Sequence, residues 1–109
     1  MNKIIEYSKF LDKNNVVELK MMFVIDKETK GIIDFVLILF LVEENVKKQI
    51  IKYDYSQKEK LNVHKYYLKI EKKEFINSEL DVEKIFYLKN EIIKNWGKYI
   101  LLFKQKEYI

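Results

Sequence analysis

From Val16 to Ile25 the chain alternates, with Val17, Leu19, Met21, Phe23 and Ile25 on one face and Glu18 and Lys20 on the other. That period of two predicts a half-buried strand. Lys27 to Gly31 reads as a polar turn, with Gly31 the residue able to take a positive φ. The stretch Ile32 to Val42 is apolar on both faces: Ile33, Phe35, Leu37, Leu39 and Leu41 on one, Val36, Ile38, Phe40 and Val42 on the other. Such a strand belongs at the centre of a sheet that is covered on both sides. A single helix covers only one side. The other is expected to meet a second copy through the 36–42 face, the N-terminal segment, or a partner protein.

After a tight connection at Glu43, Glu44 and Asn45, Val46 to Tyr55 reads as a further strand. A polar loop, Ser56 to Lys60, leads into a strand from Leu61 to Ile70 with His64, Tyr66, Leu68 and Ile70 on one face. Ile4 to Leu11 is expected to be an edge strand, with a short helix as the alternative. A helix is expected from Ser78, which with Asp81 resembles a capping box. Its buried stripe is read as Val82, Ile85, Phe86, Ile92, Ile93, Trp96, Ile100 and Phe103. Gly97 lies inside that pattern and marks a possible break. The fold class is therefore α+β: an antiparallel meander of four to five strands packed on one C-terminal helix, in a single domain over 1–109.

Composition narrows the setting. The chain has no cysteine, so disulfides and thiolate metal sites are excluded, and a cytoplasmic location is expected. Met1 to Phe10 carries Glu6 and lacks the apolar run of a signal peptide. The longest apolar run, Phe35 to Val42, is 8 residues, too short to span a bilayer, so no membrane partner is expected. All 21 basic residues are lysine. Without arginine, a basic surface acts as point charges and not as bidentate forks, which disfavours sequence-specific reading of DNA.

The charge is uneven. Val46 to Lys73 holds nine lysines against Asp54, Glu59 and Glu71, an excess of +6, while the whole chain carries +4. Tyrosines 53, 55, 66 and 67 are interleaved with these lysines. Lysines with aromatics suit RNA, through phosphates and stacked bases, or equally an acidic protein surface. The candidate binding residues are Lys52, Tyr55, Lys58, Lys60 and Lys65. Asp54 and His64 sit on strands expected to be adjacent, and an Asp that orients a His makes a usable general base. Tyr53 is a candidate proton donor beside them. Strand parity sets Asp54 opposite Tyr53, so only some registers bring Asp54 and His64 onto one face. One histidine and scattered carboxylates give no metal-ligand spacing, and no glycine-rich phosphate loop exists, so no metal or cofactor is expected.

Ile50-Ile51-Lys52-Tyr53-Asp54, His64-Lys65 and Asn95-Trp96-x-x-Tyr99-x-x-x-Phe103 together resemble a family of small prokaryotic proteins. Its core reads hydrophobic-hydrophobic-Arg-Tyr-Asp, then His-Gly, then His-Arg-Asp, with a helix ending Asn-Trp-x-x-Tyr. That family is distantly similar to the TumE-like toxins of toxin–antitoxin pairs. Gln57 and Lys58 stand where the family has its first His-Gly, three extra residues precede His64, and Lys65 replaces arginine. A two-histidine mechanism is therefore not available. The resemblance implies a toxin–antitoxin or phage–host conflict protein acting on RNA or a nucleic-acid-handling protein. If such a protein is an enzyme, the resemblance leaves metal-free RNA cleavage by His64 with Asp54. The competing reading is a non-enzymatic, anti-CRISPR-like inhibitor that grips a protein effector.

Overall fold

The structure, a computed structural model, describes residues 1–107. Six strands and one helix follow in chain order: β1 Asn2–Phe10, β2 Val17–Asp26, β3 Ile32–Glu43, β4 Val46–Tyr55, β5 Asn62–Lys65, β6 Lys72–Phe75 and α1 Val82–Glu107. The strands form one antiparallel sheet in the order β1-β2-β3-β4-β5-β6. The class is α+β as expected, with one strand more than the alternation showed.

Local chemistry accounts for the turns. Asp12 closes the β1–β2 connection by accepting the backbone N–H groups of Val16 at 3.0 Å and Val17 at 2.9 Å. In the β2–β3 turn Asp26 accepts the N–H of Glu28. The positive φ there belongs to Lys30, at 64°, and not to Gly31. β3 and β4 are joined by two residues only, Glu44 and Asn45, both at positive φ, as a type I′ hairpin requires.

The alternation of β2 and β3 becomes the core. Leu19, Leu39 and Ile51 lie side by side across three strands, all within 1% of full burial. A register shift between Leu39 and Phe40 breaks the period of two on β4, which lets the neighbours Ile50 and Ile51 both be buried. α1 lays Ile85, Leu88, Ile92, Ile100 and Phe103 onto this face. The expected stripe is corrected in part: Val82, Phe86 and Ile93 are exposed and Leu88 is buried instead.

The helix begins later than Ser78. Asp81 is the N-cap, its Oδ1 accepting the N–H of Lys84 at 2.7 Å, whereas the Ser78 hydroxyl donates to the Glu79 carbonyl. Gly97 does not break the helix, and a Cβ added there would meet nothing within 4 Å. Gly97→Ala is therefore expected to stabilise the protein by about 1 kcal/mol through helix propensity alone. A rise in melting temperature of about 4 °C would register it, and a fall would contradict the open surroundings.

The face of the sheet away from α1 has no covering layer among the described residues. The N-terminal segment is an edge strand of the same sheet, so it does not cover that face, and Val36, Ile38, Phe40 and Val42 are each half-exposed. On this open face Glu18 is buried beside Lys47, Oε1 to Nζ 2.7 Å, and accepts the Ser8 hydroxyl at 3.2 Å. The Lys47 partnership, helped by Ser8 and Lys20 and opposed by burial, holds the Glu18 carboxyl below the usual range. A depressed folded-state pKa gives stability that is present above the unfolded value, about 4.3 for glutamate, and is lost as pH falls through the folded value. The stability gap between wild type and Glu18→Gln should be full at neutral pH and close in acid. Thermal melts across that range would measure it.

No helix among the described residues is long and apolar enough to cross a membrane.

Candidate functional site

The segment expected to form one basic hairpin is instead β4, β5 and the first half of a short third strand, β6. The expected strand to Ile70 stops at Lys65, because the chain turns away over Tyr66–Ile70. There the Tyr67 N–H donates to the Ile50 carbonyl, and Lys106 of α1 donates to the Tyr66 carbonyl at 2.6 Å.

Register decides which side chains meet. Lys52 lies opposite His64, and His64 opposite Lys73. In the next row Asp54 lies opposite Asn62, and Asn62 opposite Phe75. Directly opposite residues in an antiparallel pair share a face. All six side chains therefore lie on the open face.

Asp54 is held in place by Asn62. The Asn62 amide donates to Asp54 Oδ1 at 3.0 Å, to the Asp54 carbonyl at 3.3 Å and to the Lys60 carbonyl at 2.9 Å. Asn62 is fully buried and its own carbonyl oxygen has no partner among the described residues. The other carboxylate oxygen, Oδ2, lies 3.8 Å from both His64 Nε2 and Lys52 Nζ. That spacing is one of charge proximity and is longer than a hydrogen bond. The His64 ring stacks on Tyr66, with centroids 5.6 Å apart and planes 14° from parallel. Burial, then Glu71 and Asp54, push the Tyr66 phenol up, with Lys73 opposing. Lys73 pairs with Glu59 from the Ser56–Lys60 loop and lies over the exposed Phe75 ring at 5.2 Å. The Lys73 contact, followed by His64 and Lys52 nearby, holds the Glu59 carboxyl low.

The remaining candidates lie elsewhere. Tyr53 is on the helix side, opposite Leu37 and Val63, separated from His64 by the sheet. Burial, reinforced by Tyr99, Tyr67 and Glu91, pushes its phenol up to about 12. Tyr55, opposite Phe35, packs against the same core. Lys65 is on that side too and pairs with Glu74 at 2.9 Å. Lys58 and Lys60 are exposed in the loop. The proposed set is thus divided: Lys52, Asp54 and His64 come together, while Tyr53, Tyr55 and Lys65 do not join them.

Acidic side chains from outside Val46–Lys73 also reach into it. Glu18 meets Lys47, Glu107 meets Lys48 at 3.1 Å and Glu74 meets Lys65. The local excess of positive charge is therefore smaller than the linear count, and the lysines of the segment without an ion pair among the described residues are Lys58, Lys60, Lys69 and Lys72. Sequence reasoning missed Asn62 and Phe75. Asn62 carried a signal: it shares strand parity with His64, and asparagine is depleted in strands unless a partner holds it.

Chemically, the site sets a carboxylate fixed by an amide at charge-contact distance from an imidazole, the residue types of an acid–base pair. Flanking ammonium groups can receive an anion on the same surface. Among the described residues no three His, Asp or Glu side chains converge as metal ligands would. No protein family, curated protein or solved structure matches the chain.

Proposed function

We propose that this chain is a small conflict protein, of the toxin–antitoxin or phage–host kind, which binds RNA on the open face of β4, β5 and β6. One observation carries the reading: the register sets Lys52, His64 and Lys73 in a row across three strands, with Tyr66 stacked on His64 and Phe75 exposed in the adjacent row. Cations spaced along a sheet meet phosphates, and exposed rings beside them accept unstacked bases. The Lys58–Lys60 loop extends the same surface. The resemblance of the Tyr53-Asp54 and His64 positions to TumE-like toxins supports the conflict setting. The absence of cysteine supports a reducing cytoplasm as the place of action.

Binding is the primary activity in this reading. If cleavage accompanies it, His64 exchanges the protons and Asp54, held by Asn62, orients it, without a metal. The test is RNA binding by purified protein across a salt titration, followed by a gel of the recovered RNA. Affinity should fall steeply with salt. Cut RNA that becomes intact with His64→Ala, in a folded variant, would add the enzymatic step. No binding even at low salt would overturn the RNA reading and leave an acidic protein surface as the partner, as the inhibitor reading requires.

A further inference from the structure

β1 is an edge strand of nine residues. Natural sheets blunt such edges with bulges, prolines, short length or charged side chains; β1 carries Lys3 and Lys9 on its helix side and Glu6 on its open face. Here the β1–β2 register runs without a shift from Asn2 to Phe10, and the chain contains no proline.

The backbone groups on this edge can be assigned. The Leu11 N–H donates to the Val17 carbonyl, and the Met1 carbonyl accepts from Lys27. Both pairs extend the β1–β2 register, so odd-numbered residues of β1 turn their N–H and C=O toward β2. The even-numbered residues Ile4, Glu6, Ser8 and Phe10 therefore turn theirs outward. Their side chains lie on the open face, and two of them are large apolar groups in solvent: Ile4 at 61% and Phe10 at 41% exposure.

We propose that this edge pairs antiparallel with β1 of a second copy of the chain, about a twofold axis at Tyr7. In that register Ile4 of each copy lies opposite Phe10 of the other, Glu6 opposite Ser8 and Ile5 opposite Lys9. The even residues form the hydrogen-bonded pairs, giving about eight new backbone bonds from two per narrow pair. Both exposed apolar side chains gain an apolar neighbour, and no like charges meet. A twofold at Glu6 fails this test, since it sets Glu6 against Glu6 and Lys3 against Lys9, which repel. A twofold at Ile5 sets Ile4 against Glu6 and leaves Phe10 beyond the overlap. The Tyr7 register alone sets the two exposed apolar side chains, Ile4 and Phe10, against each other, and its twofold closes the dimer. It joins two six-stranded sheets edge to edge, with both helices on one side.

Proline at an even position removes only an outward N–H and no bond to β2. Glu6→Pro therefore separates edge pairing from folding. By light scattering, wild type should have twice the 13.4 kDa chain mass, and Glu6→Pro the single-chain mass with an unchanged circular dichroism spectrum. The chain has no cysteine, so Tyr7→Cys should form an intermolecular disulfide on oxidation, because non-hydrogen-bonded pairs stand about 4.5 Å apart at Cα. Ile5→Cys should not. A monomeric wild type at millimolar concentration overturns the proposal. So does a dimer that survives in folded Glu6→Pro, or one dispersed by Ile38→Lys, which would move the interface to the 36–42 face. Should Glu6→Pro not fold, the Tyr7→Cys cross-link decides: its absence sinks the twofold at Tyr7.

Discussion

Leu39→Ala should lower stability by about 3–5 kcal/mol, read as a fall in the urea midpoint without a change in slope. Leu39 is fully buried on the central strand, flanked by Leu19 on β2 and Ile51 on β4. Those neighbours are fixed by backbone ladders on both sides, so the sheet cannot close over the missing methyl groups and a cavity remains. For a chain of this length total stability is about 5–15 kcal/mol, so the loss is a large fraction of it. Ile38→Ala on the same strand is the internal control. Its side chain is half-exposed on the open face, and its loss should cost about 1 kcal/mol or less. Equal effects at the two positions would contradict one-sided coverage of the sheet.

Lys52→Gln combined with Lys73→Gln is expected to weaken RNA binding by about 10- to 100-fold at low salt. It should also lower the salt slope by about 1.4, since each contact to a single-stranded phosphate contributes about 0.7. Folding should change little, because Lys52 stands 3.8 Å from Asp54 and Lys73 pairs with Glu59 at the surface, contacts that solvent screens. Lys65→Gln with Lys48→Gln removes the same charge from the helix side of the sheet, where Lys65 lies opposite Ile51 and Lys48 opposite Leu41. That pair should leave the slope almost unchanged. Binding that falls equally in both double variants would mean that net charge, and not the Lys52–His64–Lys73 row, holds the RNA.

The class of fold was legible where one physical signal dominated. β2 shows its period of two and the helix its stripe because one face of each is buried, whereas β3 was legible as a central strand from its unbroken apolar run. β6 was invisible: Lys72 to Phe75 are all exposed, so no alternation marks them, and the strand exists through its pairing with β5. The apparent continuation of β5 through Tyr66, Leu68 and Ile70 failed because apolar alternation does not report a turn fixed from outside. Lys106, 40 residues later, helps to fix it. The candidate site was half legible. Asp54 and His64 were visible as residue types, but their meeting depends on the Lys52–His64 register, set by the length of the Ser56–Leu61 connection. Treating Val46–Lys73 as one surface also merged two faces. Parity sends Tyr53, Tyr55 and Lys65 to the side opposite Lys52 and His64. Long-range pairs such as Glu18 with Lys47 redistribute charge in a way a linear count cannot anticipate.

The order of elements has a consequence for synthesis. In a meander each strand emerges with its partner already made, so hairpins can close one after another as translation proceeds. α1 comes last. Until its residues leave the ribosome, the sheet that carries Leu19, Leu37, Leu39 and Ile51 has no cover on its apolar side. At about 5–20 residues per second, the 26 residues of α1 take on the order of seconds to translate. A chaperone that shields apolar surface is therefore expected to bind the nascent chain at that stage. Ribosomes stalled with β6 emerged and α1 still in the exit tunnel should hold a sheet that binds such a chaperone, and emergence of α1 should end the association.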